Sequence, residues 1–165
     1  MKRIALDTMV INRVADQPSL LSQIKEAASR GCLVIIGNPM VRYELEQTKD
    51  TNRRDALVAV WDALPRQDIL ATASFYGVGL RYGQSCYGDG SHTGLPLQEA
   101  RTKGRGRARD AVIATTAAGQ ADVLVTDDGP LTEKVKQSRT ACEVWSSNFF
   151  CQFVNESCAK PRIGS

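Results

Sequence analysis

Apolar residues follow two rhythms along this chain. Short unbroken runs rich in β-branched residues stand at Arg3–Asp7 (RIALD), Cys32–Gly37 (CLVIIG), Asp122–Asp127 (DVLVTD) and Cys142–Trp145 (CEVW). Runs of this length without alternation suit strands buried on both faces, as in a parallel sheet. Between them the apolar positions recur at helical spacing. In QPSLLSQIKEAASRG a stripe forms from Leu20, Leu21, Ile24 and Ala28, with Pro18 suited to the first helical position and Gly31 to the stop. Asn38 caps NPMVRYELEQT, and Leu57, Val60, Trp61 and Leu64 mark RRDALVAVWDAL. ARDAVIATTAAGQ and GPLTEKVKQ, the latter opening at Pro130, complete the set of helices. Strands alternating with helices predict an α/β fold with a mainly parallel central sheet, in one domain over residues 1–165 and without internal repeats.

One segment breaks the alternation. Residues 76–109 are rich in glycine and then in cations, and they read as a long loop inside a core of about residues 1–147. Residues 148–165 read as an extension whose NFFCQFVNESC stretch packs as a last helix. With 42% hydrophobic and 24% charged residues, the composition is that of an ordinary globular domain. No apolar run approaches the roughly 18 residues that span a bilayer, so a membrane protein is not expected. The short apolar start is broken by Asp7, which argues against a signal peptide and for the cytoplasm. Five scattered cysteines without a CxxC pair, and His92 as the only histidine, speak against a zinc site.

The chemistry lies in the acids. VLVTDDGPL, residues 123–131, ends an apolar run on Asp127 and Asp128, although adjacent like charges repel. Asp7 closes the first strand in the same way, and Asp110 opens the helix before the Asp127–Asp128 strand. In open α/β sheets ligands gather at the carboxyl ends of strands. Glu44 is the most informative acid, because helical geometry points it among Met40, Val41, Leu45 and Thr48 while Glu46 points away. A carboxylate on an apolar face is costly unless compensated. A hard divalent cation, Mg²⁺ or Mn²⁺, would compensate it and would suit phosphodiester hydrolysis by lowering the pKa of a bound water.

In order, IALDTMVINRV, PMVRYELEQ, ARDAVIATTA and VLVTDDGPL resemble the four acidic motifs of PIN-domain nucleases, most closely the VapC-type toxins of bacterial toxin–antitoxin pairs. The resemblance runs from Arg3 to about Trp145. It implies a three-layer α/β/α sandwich and Mg²⁺- or Mn²⁺-dependent endoribonuclease activity, with RNA as substrate, an antitoxin protein as partner and a homodimer as the assembly. Residue by residue, Asp7, Glu44, Asp110 and Asp128 match the family's acids as catalytic residues and metal ligands. Thr8 matches the hydroxyl residue that often follows the first acid, and Thr126 the threonine of the last motif. Asp127 falls at that motif's variable position and is expected to assist the metal through a water. The loop before Asp110 and the tail after Trp145 are longer than in compact members of the family.

Each acid has an ordinary reading when taken singly. Asp7 can be a strand-end turn residue, Asp110 a helix-start acid and Asp128 a cap companion. Glu44 in mid-helix has no such explanation, and independent structural roles do not predict the order of the four. RTKGRGRAR, residues 101–109, carries five cations and no acid. It is either a solvated loop or a phosphate-contacting arm formed by Arg101, Lys103, Arg105, Arg107 and Arg109. Tyr76, Tyr82 and Tyr87 stand in the same segment, where they would suit stacking on unpaired bases. The alternative function is a non-catalytic PIN-like RNA-binding module in an RNA-processing or regulatory complex. A receiver-like domain is disfavoured, since the acidic pair follows a late strand instead of the first.

Overall fold

The computed structural model describes residues 1–71, 105–137 and 141–159, with backbone alone at 105–108 and 137. The tyrosines, His92, Arg101 and Lys103 of the sequence reading lie outside the described residues. So do residues 160–165 of the tail.

Five parallel strands form one sheet in the order β3-β2-β1-β4-β5. They are β1 (Lys2–Leu6), β2 (Leu33–Gly37), β3 (Arg66–Asp68), β4 (Val123–Val125) and β5 (Glu143–Trp145). Seven helices are found among the described residues: α1 (Thr8–Asp16), α2 (Pro18–Ser29), α3 (Pro39–Glu46), α4 (Thr51–Ala63), α5 (Arg105–Gln120), α6 (Gly129–Gln137) and α7 (Ser147–Ala159). α1 packs on α4, α2 on α7 and α5 on α6, an arrangement consistent with a three-layer sandwich. None of the described helices is long and apolar enough to cross a membrane.

The central strands are apolar on both sides, as their sequence requires. Ile4, Ala5, Leu6, Ile35, Ile36, Val123, Leu124 and Val125 are all buried, and each large aliphatic among them stabilises the fold by about 1.5–3 kcal/mol. Gly31, at φ 72°, ends α2 in the left-handed conformation that only glycine adopts without strain, and turns the chain into β2.

Three differences from the sequence reading have physical causes. β3, Arg-Gln-Asp, carries no apolar pattern because it is an edge strand, mostly exposed and blunted by charge. α1, short and directly after β1, is not among the helices expected from the sequence, and its Val10, Ile11 and Val14 are all buried on one helix face. α5 begins at Arg105, so Asp110 lies inside the helix instead of opening it, and residues 105–109 are helical instead of loop. Arginine and alanine favour this extra turn, although Gly106 stands within it. As expected, the stretch after residue 147 packs as a last helix, with Phe150 and Val154 of α7 buried in the main core.

Candidate functional site

The sheet's connections run outward in opposite directions from β1 and β4, so the topological switch point lies between these two neighbours. That is where open α/β sheets place ligands. Leu6 pairs with Val125 at the carboxyl end, which puts Asp7 beside Thr126. Asp7 is only 5% exposed and caps α1. Its Oδ1 accepts from the Thr8 amide at 2.7 Å and the Thr8 hydroxyl at 3.1 Å. Its Oδ2 accepts from the Thr126 hydroxyl at 2.8 Å. The Thr126 Oγ1 in turn accepts from the Asp128 amide at 3.0 Å, so one hydroxyl ties both strand ends together. Burial pushes the Asp7 carboxyl up. The Thr126 and Thr8 hydrogen bonds oppose that rise, and the Asp128 charge adds to it.

Glu44 reaches the same neighbourhood from α3. Asn38 starts that helix, its Oδ1 accepting from the Met40 amide at 2.9 Å, and Met40, Val41 and Leu45 turn their apolar face to the core. Glu44 rides on that face, whereas Glu46 pairs with Arg42 at the surface. The Glu44 carboxyl is pushed up to about 7, chiefly by burial and then by the charges of Asp7 and Asp110. Arg109 and the Thr8 hydroxyl pull it back. Asn38 itself is 2% exposed, and its Nδ2 is buried without a hydrogen-bond partner.

Asp110 projects from α5. Its Oδ2 lies 3.4 Å from the ammonium of Lys134 on α6, a side chain only 7% exposed. Sequence reasoning missed Lys134. Its position between Leu131 and Val135, both buried, marks an inward helix face by the same logic that singled out Glu44. Asp128 caps α6, accepting from the Leu131 amide at 2.9 Å. Its ordinary reading as a cap therefore holds, alongside its charge on Asp7.

Asp127 faces elsewhere. Exposed at the surface, it accepts from the Ser147 amide at 2.9 Å and also bonds the Ser147 hydroxyl, which together hold its carboxyl below the usual range. It accepts the first amide of α7, whose own cap is Ser146 Oγ bound to the Phe149 amide at 3.2 Å, and shows no tie to Asp7 or Glu44. Of the basic residues, Arg105 and Arg107 lie on the first turns of α5, and Arg109 stacks over the Tyr43 ring at 5.0 Å.

Four carboxylates thus approach the switch-point edge, and their all-oxygen chemistry suits a hard cation. Geometry stops short of that. Among the described residues no three acids, cysteines or histidines gather closely enough to hold one metal ion. A cleft of about 700 Å³ runs beside Thr126, but Asp127, Gly129, Pro130, Trp145 and Ser146 line it, not Glu44 or Asp110. What the edge does contain is a set of acids coupled by charge and held by two threonines. No family model, curated protein or solved structure was found to match the chain.

Proposed function

We propose that the chain is a PIN-like, Mg²⁺- or Mn²⁺-dependent endoribonuclease, with Asp7, Glu44, Asp110 and Asp128 as its working carboxylates. The observation that carries this reading is Glu44: a carboxyl held on the inward face of α3, in the field of Asp7 and Asp110, and raised to about 7. Strongly perturbed acids facing like charges are a mark of functional sites. Toxin–antitoxin pairing, an antitoxin partner and a homodimer rest on the motif resemblance alone.

In this reading the chain supplies position and charge. Thr8 and Thr126 fix the orientation of Asp7. Asp128 is locked by its cap on α6, and Glu44, titrating near neutrality, can take up or release a proton beside a reacting phosphate. A divalent ion, when bound, would supply electrostatic stabilisation of the charge that develops on the phosphate. Arg109, on the adjoining turn of α5, adds a positive charge where an RNA backbone would approach.

The test is cleavage of single-stranded RNA with Mn²⁺ and with EDTA, comparing wild type with Asp7→Asn and Glu44→Gln. Each variant is expected to lose at least ~100-fold in rate, the scale of a lost acid–base or charge-stabilising group. Full activity in both variants would remove the assignment. A second reading, the non-catalytic PIN-like RNA-binding module, is favoured by the lack of three converging ligands among the described residues. It predicts RNA retention without cleavage and no rise in melting temperature with Mn²⁺.

A further inference from the structure

We infer that a second copy of this chain docks on the outer edge of β5 and the aromatic side chains beside it, the two β5 strands pairing antiparallel about a two-fold axis at Val144. The inference uses none of the acids on which the nuclease reading rests. It gives a place to a dimer that otherwise stands on motif resemblance alone.

β5 ends the sheet, and among the described residues no strand pairs with its outer side. Its bonds to β4 run through Glu143 and Trp145. The Glu143 amide donates to the Asp122 carbonyl at 2.8 Å, and the Trp145 carbonyl accepts from the Thr126 amide at 3.0 Å. The residue between them is turned the other way by the strand's geometry, so Val144 presents its amide and carbonyl outward. Open edge groups are a template for another strand, and proteins commonly blunt them with charge. β3 is blunted in this way by Arg66 and Asp68, which pair at 2.8 Å. β5 instead has Val144 and Trp145 as two of its three residues. Beside it the Trp145 ring meets Phe149 at 4.9 Å and Phe153 at 5.1 Å, and Phe149 is 49% exposed. Large aromatics left in water along an open edge mark an interface.

The charges choose the occupant. Glu143 accepts from Lys2 Nζ at 3.1 Å and from the Trp145 indole N–H at 2.9 Å, and the Lys2 ammonium also lies 5.6 Å from the Trp145 ring centre. One cation and one acid side by side give no net attraction to a strongly acidic or strongly basic chain. A copy turned about a two-fold axis matches them. Val144 then exchanges both backbone bonds with Val144 of the second copy, and Glu143 stands opposite Trp145 of the second copy, with the reverse pairing made at the same time. Such self-complementarity is what a two-fold interface requires. Antiparallel pairing also points the two carboxyl edges in opposite directions, so the acids of each copy stay open.

The experiment is sedimentation equilibrium of the full chain over a range of concentrations without RNA, with hydrogen exchange of the Val144 amide read at the two extremes. Wild type should dimerise, and protection of Val144 should rise as the dimer forms. Val144→Pro removes only an outward-facing donor, which an edge strand tolerates, so its circular dichroism should match that of wild type. Phe149→Glu sets a charge among the aromatics. Each should weaken the dimer about tenfold, the scale of one lost aromatic contact or backbone bond. Leu70→Glu alters a residue 47% exposed beside β3 and should dimerise as wild type does. Should Val144→Pro not fold, Lys2→Glu takes its place: association should fall in Lys2→Glu and return in Lys2→Glu/Glu143→Lys. A chain that stays monomeric at every concentration overturns the proposal and leaves this edge to a different partner. A dimer that forms only with RNA, or that the β5-edge substitutions leave intact, overturns it as well.

Discussion

Asp7 and Asp127 follow adjacent parallel strands at the same edge of the sheet, and both receive a backbone amide at the start of a helix. Their carboxyls are nevertheless driven in opposite directions. Asp127 is exposed and meets only donors, Ser147 by backbone and hydroxyl, so ionisation is favoured. Asp7 is buried and has Asp128 for a neighbour, so its three hydrogen bonds fail to offset the cost of charge. A capping hydrogen bond therefore does not distinguish a structural acid from a candidate working one. Burial among other carboxylates does.

The comparison sharpens most at Glu44, the acid furthest from its ordinary value. Raising a carboxyl from 4.5 to about 7 corresponds to about 3 kcal/mol at ~1.4 kcal/mol per pH unit. The native state holds the proton more tightly than the unfolded chain, so this group lowers stability as pH rises from 4.5 through about 7. Without metal, Glu44→Gln should match wild type near pH 4.5 and exceed it by up to about 3 kcal/mol at pH 8, in urea unfolding at each pH. Parallel pH curves for the two proteins would mean that Glu44 carries no such burden.

Asp127 should behave in the opposite sense and more weakly. Its carboxyl is held below 3.8, so its contribution is present at neutral pH and fades as pH falls through the native value. Asp127→Ala removes the acceptor of the Ser147 amide and should cost about 1 kcal/mol at pH 7, the usual worth of one such hydrogen bond. The loss should shrink in acid, and RNA cleavage should remain well above that of Asp7→Asn. A loss of cleavage as deep as that of Asp7→Asn would return Asp127 to the site as a metal-assisting acid.

Much of this contrast could be read from the chain, and the rest failed for identifiable reasons. The four apolar runs became strands, and the inward placement of Glu44 followed from 3.6-residue periodicity among Met40, Val41 and Leu45. The same periodicity applied to Leu131 and Val135 points to Lys134, which the acid-centred reading did not single out. The resemblance put Asp128 in the last motif and Asp127 at its variable position, but only the docking of α7 shows that Asp127 finds Ser147. β3 was illegible for another reason: its pairing is set by β2, not by its own side chains. Nor does any sequence pattern specify distance, which is why four acids in order did not foretell a cluster short of chelation.

The finest distinction between the two corners is how their charges respond to salt. Arg13 donates to Ser147 Oγ at 2.6 Å and to Asn148 Oδ1 at 2.7 Å, and its charge helps hold Asp127 ionised. No direct Arg13–Asp127 bond is formed among these contacts, so the attraction passes through a partly exposed region. Such pairs are worth about 0.5 kcal/mol or less, and the Debye length falls to ~3 Å at 1 M salt. A double-mutant cycle of Arg13→Ala with Asp127→Ala should therefore give a favourable coupling of about 0.5 kcal/mol in dilute buffer and almost none in 1 M NaCl. The rise at Glu44 comes chiefly from burial, so salt should change it less. A coupling at Arg13–Asp127 that survived 1 M salt would show that this corner, too, is shielded from solvent, and burial would no longer separate the two acids.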